Sequence, residues 1–323
     1  MTENHKTIFA LKWVSLLQAY TFISRLLINI ILAKLLIPDD FGLVAIIVVF
    51  TEVMTSIADL GFNAALIQKR SINDKDINTA FFLNAGLSIL LTVIVFFSAS
   101  YIAGFYNDIR IVPLVKILSF IIIVRAFSSV QIALCDRKLD FKKVVIISSI
   151  AITISSIVKI SLAYLDYKAQ SIVIGELVNH SIIAILFWFY SSWKPNILEI
   201  SYNSFRKLFS FGYKIMLTSS VSLISQKIDI LVIGKLITAF YVGIYSFSFM
   251  ISTVVVGFIN SVVSRVIFPS FSRIQDDNDK IKRLYLNAVS VISAVSVPAS
   301  VGLFFIAPEF VDIFLTALAA PVV

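Results

Sequence analysis

Eight charged side chains stand in stretches that otherwise read as membrane spans: Arg25, Arg125, Lys159 and Lys227 among the cations, Glu52, Asp59, Glu176 and Asp229 among the acids. By insertion scales a charge at mid-bilayer costs roughly 2.5 to 3.5 kcal/mol, so such residues persist where they face a bundle interior or a wet cavity. Their types suggest a chemistry. A guanidinium grips phosphate with two parallel hydrogen bonds and an ammonium acts as a point charge, so cations sharing one cavity would hold an anionic cargo. Glu52, Asp59, Glu176 and Asp229 are candidates for coupling or for structural pairing. Lys159 and Lys227 could equally snorkel toward an interface. Lys227 and Asp229, two residues apart, do not share a helical face, and Asp59 could cap a kink beside Gly61 with its carboxylate on freed backbone amides.

Other chemistries find no support in the residues. The histidines are His5 and His180 and the single cysteine is Cys135, so neither a zinc site, nor a Cys/His dyad, nor an intrachain disulfide is expected. No glycine-rich phosphate loop, H-E-x-x-H pair or nucleophile elbow occurs, and no loop is long enough to fold into a catalytic domain. The expectation is a protein that is not an enzyme and carries no cofactor or metal.

The elements that must position these charges are helices. With 59% hydrophobic and 14% charged residues and a mean hydropathy of +0.96, the chain is far more apolar than a soluble domain. Its apolar runs reach the twenty or so residues a helix needs to cross about 30 Å of hydrocarbon, longer than the strands of a barrel. The fold class is therefore all-α and polytopic. Spans are expected near 9–36, 41–67, 77–105, 112–135, 144–165, 171–190, 211–236, 242–268 and 285–305, with a partial tenth from Phe310. The first two meet at the short break Ile37-Pro38-Asp39-Asp40-Phe41-Gly42.

The net charge of +8 is assigned to topology and not to a nucleic-acid partner. Sixteen Lys and Arg fall in the even-numbered loops and the N-terminus, against four (Lys34, Arg110, Lys168, Lys235) in the opposite set, which places the N-terminus in the cytoplasm. The longest polar stretch, 191–210, separates the sixth and seventh spans, and Phe205, Leu208, Phe209 and Tyr213 recur in it at helical spacing. It is taken as an amphipathic cytoplasmic elbow at 196–210 between a six-helix lobe at 1–195 and a partial second lobe at 211–323. A repeat agrees: Lys34-Leu35 and Gly42-Leu43 line up with Lys235-Leu236 and Gly243-Ile244, pairing the first span with the seventh and the second with the eighth. Six spans separate the copies, so the repeat is parallel, an architecture in which transporters place their site between the halves.

Several stretches then resemble one family. Ser24-Arg25 through Leu36-Ile37-Pro38-Asp39-Asp40-Phe41-Gly42 to Asp59-Leu60-Gly61-Phe62 and Ala65-Leu66-Ile67-Gln68, then Leu208-Phe209-Ser210-Phe211-Gly212, then Arg265-Val266-Ile267-Phe268-Pro269-Ser270-Phe271-Ser272-Arg273, are similar to the polysaccharide-transport family, the Wzx-type flippases of the MOP superfamily. The similarity runs from about Ser24 to Asp312. It implies a two-lobe bundle in the bacterial inner membrane that moves undecaprenyl-pyrophosphate-linked oligosaccharide units by alternating access for surface polysaccharide synthesis, among membrane lipid and alongside polymerase and assembly proteins. It also implies Arg25 as a pyrophosphate contact and Asp59 as part of an Asp-Leu-Gly turn. Such proteins have twelve to fourteen helices, so the second lobe is expected to be incomplete here. Two rival readings are a MATE-like cation-coupled drug exporter, which would need an acid-dominated cavity, and a non-transporting subunit of the polysaccharide-assembly machinery.

Overall fold

A computed structural model describes residues 3–138, 140–191, 193–250 and, at intervals, 282–306. Its ordered elements are helices: α1 (Glu3–Leu35), α2 (Pro38–Ala58), α3 (Phe62–Gln68), α4 (Asp74–Tyr106), α5 (Ile111–Arg137), α6 (Phe141–Tyr164), α7 (Ala169–Tyr190), a 3-10 turn at Ile197–Glu199, and α8 (Tyr202–Leu236). A further helix, α9, runs from Ala239 to Met250. Among the described residues there is no strand, and α2, α4, α5, α6, α7 and α8 are long and apolar enough to cross a membrane. The chain is an all-α, polytopic membrane protein. It divides into a unit of Met1–Gly243 and a unit of Ile244–Val323, and the architecture given below belongs to the first. The expected tenth span and the stretch Arg265–Arg273 lie outside the described residues.

Each helix starts and stops for a local reason. Pro38 opens α2 at a position where its missing N–H costs nothing. One oxygen of Asp40 accepts from the Ile37 N–H and the other from the Ala169 N–H at 3.2 Å, so one buried carboxylate serves the first turns of both α2 and α7. The opening of α4 is a reciprocal cap: the Asp76 N–H donates to Asn73 Oδ1 at 2.9 Å and the Asn73 N–H to Asp76 Oδ2 at 3.2 Å. Lys69 joins it, 2.5 Å from Asp76. The last carbonyls of α3 and the turn beyond it accept from Arg137 at the end of α5, which reaches Leu66, Ile67, Lys69 and Arg70.

The stretch expected as one second span, 41–67, is two helices. After Ala58 the chain turns through Leu60 (φ 50°) and Gly61 (φ 69°) before α3 begins. The reason is a crossing: a Cβ on Gly61 would collide with the backbone of Gly212 on α8, and one on Gly212 with the Leu60 carbonyl. Helix α8 itself begins at Tyr202, upstream of the expected Phe211. Its entry is pinned where the Ser201 N–H donates to Thr79 Oγ1 at 3.0 Å and where Leu208, 1% exposed, packs with Phe62, Leu66 and Phe81.

Helix α5 runs through the middle, touching α2, α3, α4, α6 and α7. Around one half of it the core is aliphatic and small: Leu43, Ile47, Ala99, Ala103, Ile111, Leu114, Leu118, Ile122 and Val173. Around the other it is aromatic, with Trp188 and Trp193 both meeting Phe81 edge-on. Polar side chains are drawn to the face of α5 left between these two packings, where the site lies.

Candidate functional site

Helical periodicity collects the polar residues. On α2, Glu52, Ser56 and Asp59 recur at spacings of four and three; on α5, Arg125 is followed three and four residues on by Ser128 and Ser129; on α7, Glu176 and His180 are one turn apart. The first six of these and His180 line a vestibule of about 520 Å³, closed further by Asn63 of α3, Asn84 of α4 and Leu223 of α8. Hydroxyls on α2 and α5 satisfy themselves within their own helices, as Thr55 does on the Thr51 carbonyl at 2.7 Å and Ser128 on the Arg125 carbonyl at 3.2 Å. They leave lone pairs toward the open space.

Arg125 is exposed within this vestibule, and its charge acts on Glu52, Asp59 and Glu176. Arg25, on α1, is also exposed; its charge acts on Glu176 and His180. Lys159, on α6, binds Glu176 Oε1 at 2.5 Å. Gly175 makes that reach possible, since a Cβ there would strike the Lys159 stem. Three of the four proposed cations thus approach Glu176 from α1, α5 and α6, and one of them is already committed to it. Of the eight charged candidates, Glu52, Asp59 and Arg125 line the vestibule, whereas Arg25, Lys159, Glu176, Lys227 and Asp229 do not. Lys227 stands one turn beyond Leu223 on α8, and an oxygen of Asp229 accepts from the Ile230 N–H.

Asp59 sits at the break between α2 and α3. Its carboxylate accepts from Asn84 Nδ2 at 3.4 Å. Sequence reasoning did not single out Asn63, Asn84, Ser56 or the Ser128-Ser129 pair. The one signal that was available is Asn84, a lone amide in the apolar run from Ala80 to Leu91. Asn84 is 1% exposed, and a buried polar group left unpaired costs about 1–3 kcal/mol, so its position calls for a function.

A second, largely apolar groove of about 610 Å³ is lined by Tyr101, Phe105 and Tyr106 of α4 and by Leu231, Val232 and Lys235 of α8. Lys235 donates to the Phe105 carbonyl at 2.6 Å and lies over the Phe105 ring. Nearby in the fold, the repeat identified in the sequence meets itself. A Cβ on Gly42 would collide with the Ala239 carbonyl and one on Gly243 with the Pro38 carbonyl, the same offset of four residues in each copy.

Comparison with known proteins places this arrangement. The chain is 26% identical over 97% of its length to the lipopolysaccharide biosynthesis protein WzxC of Escherichia coli. It is 29% identical over 79% of its length to the teichuronic acid biosynthesis protein TuaB of Bacillus subtilis, and 22% identical over 95% to the succinoglycan biosynthesis transport protein ExoT of Rhizobium meliloti. It spans 64%, 53% and 62% of the lengths of those proteins. No solved structure matches it. The family described as polysaccharide biosynthesis protein matches residues 31–320, nearly the whole chain, and with the polytopic helical fold and the polar vestibule this shows that the protein belongs to that family, the Wzx-type polysaccharide flippases of the MOP superfamily.

Proposed function

We propose that the protein translocates an undecaprenyl-pyrophosphate-linked oligosaccharide from the cytoplasmic to the outer leaflet of a bacterial inner membrane, as part of surface polysaccharide synthesis. The observation that carries this reading is Arg125, a guanidinium exposed in a vestibule whose lining also holds Glu52, Asp59, His180, serines and asparagines. A charge is kept there only where it meets water or an opposite charge. Arg125 and Arg25 would take the pyrophosphate, whose paired oxygens match the donor fork of arginine. The serines and asparagines would take sugar hydroxyls, and the prenyl tail would stay in lipid. Lys159, tied to Glu176, would act by holding that acid away from the phosphate. Alternating access between the two lobes, with the boundary near 196–210 and the N-terminus in the cytoplasm, completes the reading.

The relatives support a polysaccharide cargo through their names, which include lipopolysaccharide, teichuronic acid and succinoglycan biosynthesis. The test is leaflet translocation of a lipid-linked oligosaccharide in proteoliposomes. Arg125→Ala removes a charge-assisted hydrogen-bond pair worth about 1.5–3 kcal/mol and should slow translocation roughly ten- to hundredfold. Arg25→Ala should act in the same direction. Unchanged rates in both variants at equal reconstitution would refute the anionic-cargo assignment.

A further inference from the structure

The chain between α7 and α8 crosses no membrane, yet it leaves large apolar side chains uncovered. Ile197, Leu198 and Ile200 are exposed, Leu198 at 89%, and so is Tyr202 at the start of α8. Hydrogen bonds hold this stretch at a fixed height. The Asn196 N–H donates to Asn78 Oδ1 at 2.7 Å, Asn78 Nδ2 donates to Glu199 Oε2 at 2.9 Å, and the Ser201 N–H donates to Thr79 Oγ1. Asn78 and Thr79 are buried on α4, where its polar first turn, Asp74-Lys75-Asp76, gives way to the apolar run from Ala80. The clamp therefore puts the stretch at the level where a spanning helix passes from headgroups into hydrocarbon. Aromatic side chains mark the same level: Trp188 and Trp193 both meet Phe81, and Trp and Tyr gather at membrane–water interfaces.

The opening turns of α8 continue this surface. At about 100° per residue, Ser204, Leu208 and Gly212 share one face, and all three are buried. The opposite face divides in two. Tyr202, Phe209 and the half-buried Tyr213 fall on one side of it and Lys207 and Lys214 on the other, with Arg206 at the seam. Phe205, Phe209 and Tyr213 stack in succession, their ring centroids 5.3 and 5.7 Å apart. Rings beside a row of cations on one helix face are the pattern of a surface resting at a lipid–water boundary. Helix α8 is long enough to span and to do this, since its 35 residues rise about 52 Å against ~30 Å of hydrocarbon.

We infer that 194–214 is a docking surface for the headgroups of anionic phospholipids. Ile197, Leu198 and Tyr202 enter the boundary of the acyl chains, while Lys194, Arg206, Lys207 and Lys214 meet the phosphates. Charge selects the occupant. Between 194 and 214 there are four cations and one acid, Glu199, and that acid is engaged by Asn78 and Asn196. A positive excess beside exposed apolar side chains suits a bilayer with negative headgroups, each basic residue near such a surface adding to the attraction. A protein partner would have to bring an acidic and an apolar face together to a stretch already held at the bilayer boundary. The inference does not depend on what the cargo is.

The experiment uses the full chain with Cys135→Ser and Leu198→Cys, labelled at residue 198 with a fluorophore and reconstituted into phosphatidylcholine vesicles. Phosphatidylglycerol or phosphatidylcholine brominated near the ester groups is added as a minor component, and quenching is compared at equal mole fraction. Brominated phosphatidylglycerol is expected to quench about fivefold more strongly, the enrichment that attraction of a headgroup to one basic residue gives. The preference should shrink at high salt. A probe at Phe97→Cys, 73% exposed within the α4 span, should show none. Lys194→Gln, Arg206→Gln, Lys207→Gln and Lys214→Gln together, all at exposed positions, should bring the two lipids to equal quenching at residue 198. Equal quenching in the parent protein, or a preference that survives the four substitutions, would overturn the assignment. Quenching by aqueous iodide with none from either lipid would do the same, placing the surface in water.

Discussion

Glu176 concentrates the electrostatics of the bundle in one side chain. It is bonded to Lys159 at 2.5 Å and lies in the fields of Arg25 and His180. Its side chain is 35% exposed, so the cost of losing it is screened relative to a fully buried pair. Glu176→Gln should lower stability by about 1–2 kcal/mol, read as a fall in Tm in detergent, and Lys159→Met in the same background should restore part of it. If Glu176→Gln left Tm unchanged, the pair would be ornamental. At this scale the sequence was half legible. Charges in apolar runs announce themselves by their cost, and Arg25, Arg125, Glu52 and Asp59 were visible for that reason. Whether an acid is paired is a matter of three-dimensional reach, which depends on Gly175 leaving space for a lysine on the adjacent helix. Asparagines and serines carry a weaker signal than charges, and apart from Asn84 in its apolar run the polar wall of the vestibule did not stand out by residue type.

Elements were more legible than their boundaries. Hydrophobic length alone located α2, α4, α5, α6 and α7, because a bilayer sets their size. Helix α8 differs because its first turns, Tyr202–Phe211, carry Arg206 and Lys207 and read as an amphipathic elbow separate from the span, whereas they are continuous with it and Leu208 is buried against α3 and α4. The break after Ala58 was visible only as Asp59 beside Gly61, and its cause, the passage of α8 at Gly212, lies about 150 residues away in sequence. Gly61→Ala adds a methyl where φ is 69° and the Gly212 backbone already fills the space. The left-handed conformation alone costs about 1–2 kcal/mol, so the variant should lose more than ~2 kcal/mol or part the two helices. A Tm drop without loss of expression would report the first, and new cross-linking failure between cysteines placed at Ser56 and Ser220, whose hydroxyls lie 3.3 Å apart, the second. Arg137→Ala should matter less, since α3 keeps its packing and loses only the donors at its end.

For the whole molecule, charge partition is the strongest statement the sequence makes, and it is testable directly. With Cys135→Ser as background, Lys75→Cys is expected to resist an impermeant maleimide in intact spheroplasts and Arg110→Cys to react. The opposite pattern would invert the topology and with it the direction proposed for transport. The Arg110 loop has its own pH signature. The guanidinium of Arg110 bonds Asp108 and Asp39, and it holds the Asp108 carboxyl below the ordinary value of 3.8. A lowered carboxylate stabilises the fold fully above its unfolded value, and that contribution fades as pH falls through the folded one. The α4–α5 turn should therefore loosen only in strong acid, leaving that end of the bundle indifferent to ordinary environmental pH.

The meeting of Gly42 with Gly243 has a mechanical corollary. Peptide planes touch there with no rotamers between them, so sliding or rolling at that joint requires no side chain to be squeezed, unpacked or reseated. Any methyl introduced on either side acts as a wedge between the two backbones.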